Sequence, residues 1–146
     1  MEERIIDDTL RLIPYYRDDE VSLPWYQDAG VCRQVDGRGE PYTLERLHRM
    51  YDYLRARGAC YFILYRGVPV GDAALLDSGE LAIVVSKEYQ NRRIGRRCVR
   101  ELLTLAREKG MDAVRANVYS FNSQSRRMFL AAGFTQTAEE WYEYRL

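Results

Sequence analysis

The sequence predicts an α+β fold: a central mixed, mostly antiparallel sheet flanked by about four helices, in a single domain spanning residues 1–146. Three observations carry this. Three β-rich runs follow one another between tight turns, as in an antiparallel meander. A strongly amphipathic helix, a strand, a second helix and a last strand then follow. The length suits one domain, which buries roughly two-thirds of the surface its unfolded chain exposes.

In chain order, Thr9–Ile13 reads as a short strand ending at Pro14. Asp18–Asp28 is acidic and aromatic, is interrupted by Pro24, and reads as a short helix or turn. Arg33–Pro41, with Gly37, Gly39 and Pro41, reads as a loop. Thr43 is placed as the N-cap of a helix whose Leu44, Leu47, Tyr51 and Leu54 share one face, with Gly58 as its stop. Ala59–Tyr65, Val70–Leu76 and Glu80–Val85 are the three meander strands, joined at Arg66–Pro69 and Asp77–Gly79. Arg96–Lys109 is the strongest helix, with Cys98, Leu102, Leu105 and Ala106 on one face and Gly110 closing it. Ala113–Val118 is a strand. Asn122 or Ser123 caps a helix to Ala132, and Thr135–Leu146 reads as a last strand or hairpin.

Composition excludes several classes. Lys+Arg and Asp+Glu number 22 each, so the excess positive charge of a dedicated nucleic-acid binder is missing. The three cysteines, Cys32, Cys60 and Cys98, are far apart and form no metal spacing, so no metal site is expected. They suit a reducing compartment. Met1-Glu2-Glu3-Arg4 lacks a basic segment followed by an apolar one, and no apolar run approaches the ~20 residues that cross a bilayer. The expectation is a cytoplasmic protein with no nucleic-acid or membrane partner, as a monomer or homodimer.

The region of greatest chemical interest follows Glu80–Val85. Arg92, Arg93, Arg96 and Arg97 surround Ile94-Gly95 at the start of a helix, where the dipole favours acids. As i,i+4 pairs, Arg92/Arg96 and Arg93/Arg97 each cost a few tenths of a kcal/mol. A bound phosphate removes that conflict, taking up helix N–H groups and guanidinium forks together. The alternative is a solvated basic face. No G-x-x-x-x-G-K-[ST] and no G-x-G-x-x-G after a strand is present.

Leu81–Val85 followed by Lys87-Glu88-Tyr89-Gln90-Asn91-Arg92-Arg93-Ile94-Gly95-Arg96 resembles the central motif of the GNAT superfamily of N-acetyltransferases, a strand leading into Q/R-x-x-G-x-G/A. Gln90 matches the first position and Gly95 the last glycine; Arg93 stands where the first glycine is usual. Asn122-Ser123-Gln124-Ser125, then Phe129 and Gly133-Phe134, is similar to the family's later N-x-x-[AS]…[YF]…G-F segment. Trp25-Tyr26-Gln27-Asp28 looks like the acceptor-side region of the ribosomal-protein-alanine and aminoglycoside acetyltransferase branches.

The resemblance implies a GNAT-like fold with a splayed strand pair and acetyl-CoA as co-substrate. Gln90, Asn91, Arg92, Arg93, Ile94, Gly95, Arg96 and Arg97 would hold the pyrophosphate. Ile83, Val84, Val85, Asn122, Ser125 and Phe129 would line the pantetheine arm. The implied reaction moves an acetyl group to a primary amine of a small molecule or a protein N-terminus by direct attack. Family members often use a tyrosine where this chain has Phe129, so three outcomes stay open: another residue donates the proton, with Tyr142, Tyr119 and Tyr144 as candidates; solvent donates it; or the protein acetylates poorly. Glu80 and Asp72 are the candidate bases, expected to lie close together across the Asp77–Gly79 turn. The acceptor pocket is expected from Trp25, Tyr26, the Arg33–Pro41 loop and Trp141–Tyr144, with Asp18, Asp19, Glu139 or Glu140 to receive a cation. A non-catalytic coenzyme-binding sensor and an arginine-based interaction module stay open as alternatives.

Overall fold

The computed structural model describes residues 1–146. A two-residue strand, β1 (Arg4–Ile5), precedes β2 (Leu10–Pro14). Pro14 has no N–H for a ladder, and it sits past the end of β1, where only β3 lies beside it. Next come α1 (Asp19–Ser22), a 3-10 turn at Leu23–Gln27 with Pro24 near its start, and α2 (Ala29–Asp36). So the expected Arg33–Pro41 loop is half helix: Arg33–Asp36 is the last turn of α2, and only the part from Gly37 onward is loop. The overlooked signals are its two ends. Asp28 caps the helix, accepting from Val31 N at 2.9 Å, and Gly37 stops it with φ +79.

Helix α3 (Leu44–Arg57) begins at Thr43, whose side chain accepts from Arg46 N. It runs straight into β3 (Gly58–Tyr65), followed by β4 (Val68–Leu76) and β5 (Glu80–Val85). Gly58 is thus the first residue of a strand as well as the end of a helix. A 3-10 turn at Lys87–Tyr89 leads to α4 (Ile94–Glu108), which starts two residues earlier than expected. Then come β6 (Ala113–Asn117), α5 (Ser123–Ala131), β7 (Thr135–Ala138) and β8 (Trp141–Arg145). The C-terminal stretch is a hairpin.

The eight strands form one sheet in the order β1-β2-β3-β4-β5-β6-β8-β7. Every neighbouring pair is antiparallel except β5 and β6. Strand alternation divides the core. Leu81, Val114, Ala116 and Tyr142 face α4 and α5, with Ile94, Cys98, Leu102 and Phe129 above them. Phe62, Ala74 and Leu76 face the other way, under Tyr26, Tyr42, Leu47 and Tyr51. Trp25 and Tyr26 belong to this second layer and are buried, Trp25 edge-on to Phe62 and Tyr26 against Tyr42. They are core rather than the acceptor wall the sequence suggested. No helix is long and apolar enough to cross a membrane.

Candidate active site

The one parallel strand pair makes the cleft. Strands β5 and β6 are paired only at Glu80↔Arg115 and Leu81↔Ala116. Beyond that point they separate around a cleft of about 680 Å³. Its walls are the far ends of β5 and β6, the first turn of α4, one face of α5, and Val31, Gln34 and Val35 of α2. Ser86 N donates to Val70 O across β4 at 2.8 Å. Strand alternation then points the main-chain groups of Ile83 and Val85 into the gap, away from β4. Such edges need partners from elsewhere.

The start of α4 closes one end. Arg93 is its N-cap, in the left-handed conformation at φ 63, ψ 16, with no side-chain cap on the helix. The first helical bond runs from Arg97 N to Arg93 O, leaving the N–H groups of Ile94, Gly95 and Arg96 without helical acceptors. Arg93 therefore holds a backbone angle that glycine takes most easily. That angle costs a non-glycine residue about 1 kcal/mol, more than the like-charge pairs around it.

The four arginines divide. Arg93 and Arg96 line the cleft. Arg96 Nη2 donates to Ala131 O at 3.3 Å, and its Nε is buried with no partner. Arg97 turns away: its guanidinium binds Asp7 Oδ2 at 2.7 Å and Thr9 Oγ1 at 3.2 Å, holding the Asp7 carboxyl down at about 2. Arg92 lies over the Tyr89 ring and is not part of the cleft wall. The expectation that all four converge on one anion is corrected. Two find their partners within the chain, which also shrinks the basic patch an interaction module would use.

Gly95 is in the cleft wall for a reason the protein itself does not supply. A Cβ there would meet Met128 Cε at 3.8 Å and Ile83 Cδ1 at 3.9 Å, ordinary contacts. Gln90 and Asn91 complete this wall. Gln90 Nε2 donates to Val85 O at 2.9 Å and to Gln34 Oε1 at 3.0 Å.

On α5, Asn122 caps the helix, its Oδ1 accepting from Ser125 N at 3.2 Å. Asn122, Ser125 and Phe129 all line the cleft. Phe129 lies edge-on to Phe134 and stacks on Tyr142. Tyr142 is fully buried behind it, outside the cleft wall, and its hydroxyl accepts from Arg126 Nε at 2.9 Å. This placement is against Tyr142 as the proton donor. Tyr144 sits against Phe134 on the same layer, also outside the wall. Tyr119 stacks on Phe121 beside Gly37 at the end of α2.

The two carboxylates do not meet. Asp72 is opposite Val84 in the register of β4 and β5, four residues along from Glu80, roughly 13 Å at the rise of a strand. Asp72 is 2% exposed and accepts hydrogen bonds from Tyr26 at 2.6 Å and Tyr51 at 2.8 Å. Burial raises its carboxyl to about 6, with the two tyrosines opposing the rise. It ties the outer layer to the sheet and does not reach the cleft. Glu80 does, and it is the only acidic residue in the wall.

The profile of the acetyltransferase (GNAT) family matches residues 22–134. The chain belongs to that family. Among solved structures, it is similar to a domain from Methanocaldococcus jannaschii, with 21% identity, 96% of this chain and 100% of that one covered, and a TM-score of 0.82. It is also similar to RimL, a ribosomal L7/L12 α-N-protein acetyltransferase in complex with coenzyme A, at 16% identity, 99% and 98% coverage and TM-score 0.78. An acetyltransferase from Salmonella typhimurium that modifies the N-terminal serine of ribosomal protein L7/L12 matches at 14% identity, 99% coverage of both chains and TM-score 0.77. At these identities the likeness is one of fold. No curated protein matches by sequence. Within this GNAT domain one wall of the cleft is α2, whose last turn, Arg33–Asp36, was expected as loop.

Proposed function

We propose that this GNAT protein is an N-acetyltransferase that moves the acetyl group of acetyl-CoA to a primary amine, of a small molecule or a protein N-terminus, in the cytoplasm. The observation that carries the reading is the cleft end at Gly95, where three bare helix amides, Arg93 and the unpartnered Nε of Arg96 surround a position that has room for a Cβ and lacks one. A diphosphate satisfies that set. The gap-facing main-chain groups of Ile83 and Val85, the Val85 carbonyl being held meanwhile by Gln90, suit an amide-bearing arm such as pantetheine. The solved RimL complex, of the same fold, holds coenzyme A. When bound, acetyl-CoA supplies an activated acyl thioester.

The chain's residues then have separable roles. Arg93, Arg96 and the amides of Ile94, Gly95 and Arg96 fix the anionic end. Ile83 and Val85 align the arm along β5. Asn122 and Ser125 face it from α5, and Phe129 keeps that side dry. Glu80, at the start of β5 where that strand still pairs with β6, takes the proton of the incoming ammonium, directly or through one water, as a general base. Phe129 carries no exchangeable proton, so the departing thiolate is protonated by solvent. A protein N-terminus as acceptor is supported by the two fold relatives that act on ribosomal L7/L12.

Thiol release measured over a panel of amines and N-terminal peptides tests this. Turnover is expected with at least one primary amine. Glu80→Gln is expected to cut kcat/KM about 100-fold, with coenzyme affinity unchanged. Full activity in Glu80→Gln would remove it as the base. Coenzyme binding without turnover on any amine would favour the sensor reading, which Phe129 at the usual tyrosine position supports.

A further inference from the structure

Helix α2 spans the split. Gln34 is tied to the β5–α4 wall through Gln90 at 3.0 Å. Arg33, its neighbour, is tied to the opposite wall, its guanidinium 4.5 Å from the centre of the Phe121 ring on the β6–α5 loop. The Gln90 amide nitrogen has two protons, and both are used: one on Gln34, one on the Val85 carbonyl. Val85 O is one of the gap-facing main-chain acceptors. The Gln90 side chain therefore already makes the hydrogen bond that an amide in the cleft would make.

We propose that Gln34 and Gln90 form a latch that couples occupancy of the coenzyme cleft to the position of α2, the wall on the acceptor side. This rests on the coenzyme reading of the cleft. An N–H donor arriving at Val85 O displaces the Gln90 amide, and the Gln34 bond goes with it. The last turn of α2 then keeps Arg33 over Phe121, Val35 against the outer core layer, and Asp36 paired to Arg46 on α3 at 2.8 Å. Buried Val31 and Cys32 keep the first turn in place. Gly37 and Gly39, both at φ +79, follow the helix and allow the last turn to shift. An acceptor thus meets a looser wall once the coenzyme is bound. Coupling of this kind is reciprocal, so whatever loosens α2 must tighten coenzyme binding.

The test uses coenzyme A itself, titrated calorimetrically into wild type, Gln34→Ala and Gln90→Met, with amide exchange of residues 29–36 followed in parallel. Losing one hydrogen bond from the unliganded state corresponds to binding about fivefold tighter. Gln34→Ala is expected to show that gain. Wild-type amides at residues 33–36 are expected to exchange faster on adding coenzyme A, and those of Gln34→Ala to be fast already. Gln90→Met, similar in length and without the donor, is expected to behave as Gln34→Ala does. Equal affinity in all three proteins with unchanged exchange in α2 overturns the latch and leaves the coenzyme site standing. No binding of coenzyme A to wild type overturns both.

Discussion

Gly71 and Gly95 are glycines for opposite reasons. A Cβ on Gly71 would lie 2.0 Å from Val84 O, so β4 and β5 pack only around its absence. A Cβ on Gly95 meets nothing closer than 3.8 Å, and its backbone is helical. Glycine in a helix gives up roughly 0.5–1 kcal/mol relative to alanine. Gly95→Ala is therefore expected to stabilise the free protein by about 0.5 kcal/mol in urea unfolding, while weakening acetyl-CoA about tenfold by calorimetry. Gly71→Ala, the contrast, is expected to lose about 3 kcal/mol. A Gly95→Ala protein that is destabilised, or that binds as wild type does, would mean the missing Cβ serves packing and not a ligand. Gly95 and Gln90 were legible in the sequence because the motif around them is local. The fates of Arg92 and Arg97 were not: Asp7, the partner of Arg97, is 90 positions away, and no spacing rule reaches that far.

At the scale of elements, Asp72 shows why strand chemistry is harder to read. Strand β4 is buried along most of its length, so alternation gives no sign of which face a carboxylate takes. It faces the α3 layer, where Tyr26, ahead of α2, and Tyr51, on α3, both donate to it. The outer layer is pinned to the sheet through this one group. Its carboxyl is raised from 3.8 to about 6, so the folded state holds its proton more tightly than the unfolded chain. The stability this contributes is complete below about pH 3.8 and is lost as the pH rises through 6, a change of about 3 kcal/mol. Asp72→Asn is expected to flatten the difference in unfolding free energy between pH 4 and pH 7 by about that amount, measured by urea titration at both. The same pH slope in variant and wild type would show that Asp72 ionises freely in the fold. Helix α2 was missed at this same scale. Its glycine-rich exit outweighed the Asp28 cap nine residues before Gly37, and its short apolar pair, Val31 and Cys32, gave the helical period too little to register.

For the molecule as a whole, the order of elements was legible from Thr43 onward. Turn residues punctuate that stretch, and its apolar periods switch cleanly between 2 and 3.6. The split between β5 and β6 was not readable from periodicity; only the resemblance implied it. Pairing that stops after two residues depends on where β6 is placed by α4, a non-local matter. That split joins the arginine-rich helix start to Glu80 across one cleft, with cations at one end and a single carboxylate at the other. It is the physical basis of the transferase reading. The measurement that tests it most directly is a crystal structure of the protein with acetyl-CoA. The account predicts the diphosphate on the amides of Ile94, Gly95 and Arg96, with Arg96 Nε turned onto a phosphate oxygen and the arm running along β5 toward Glu80. A diphosphate bound elsewhere, with water on those amides and the β5–β6 gap empty, would contradict it.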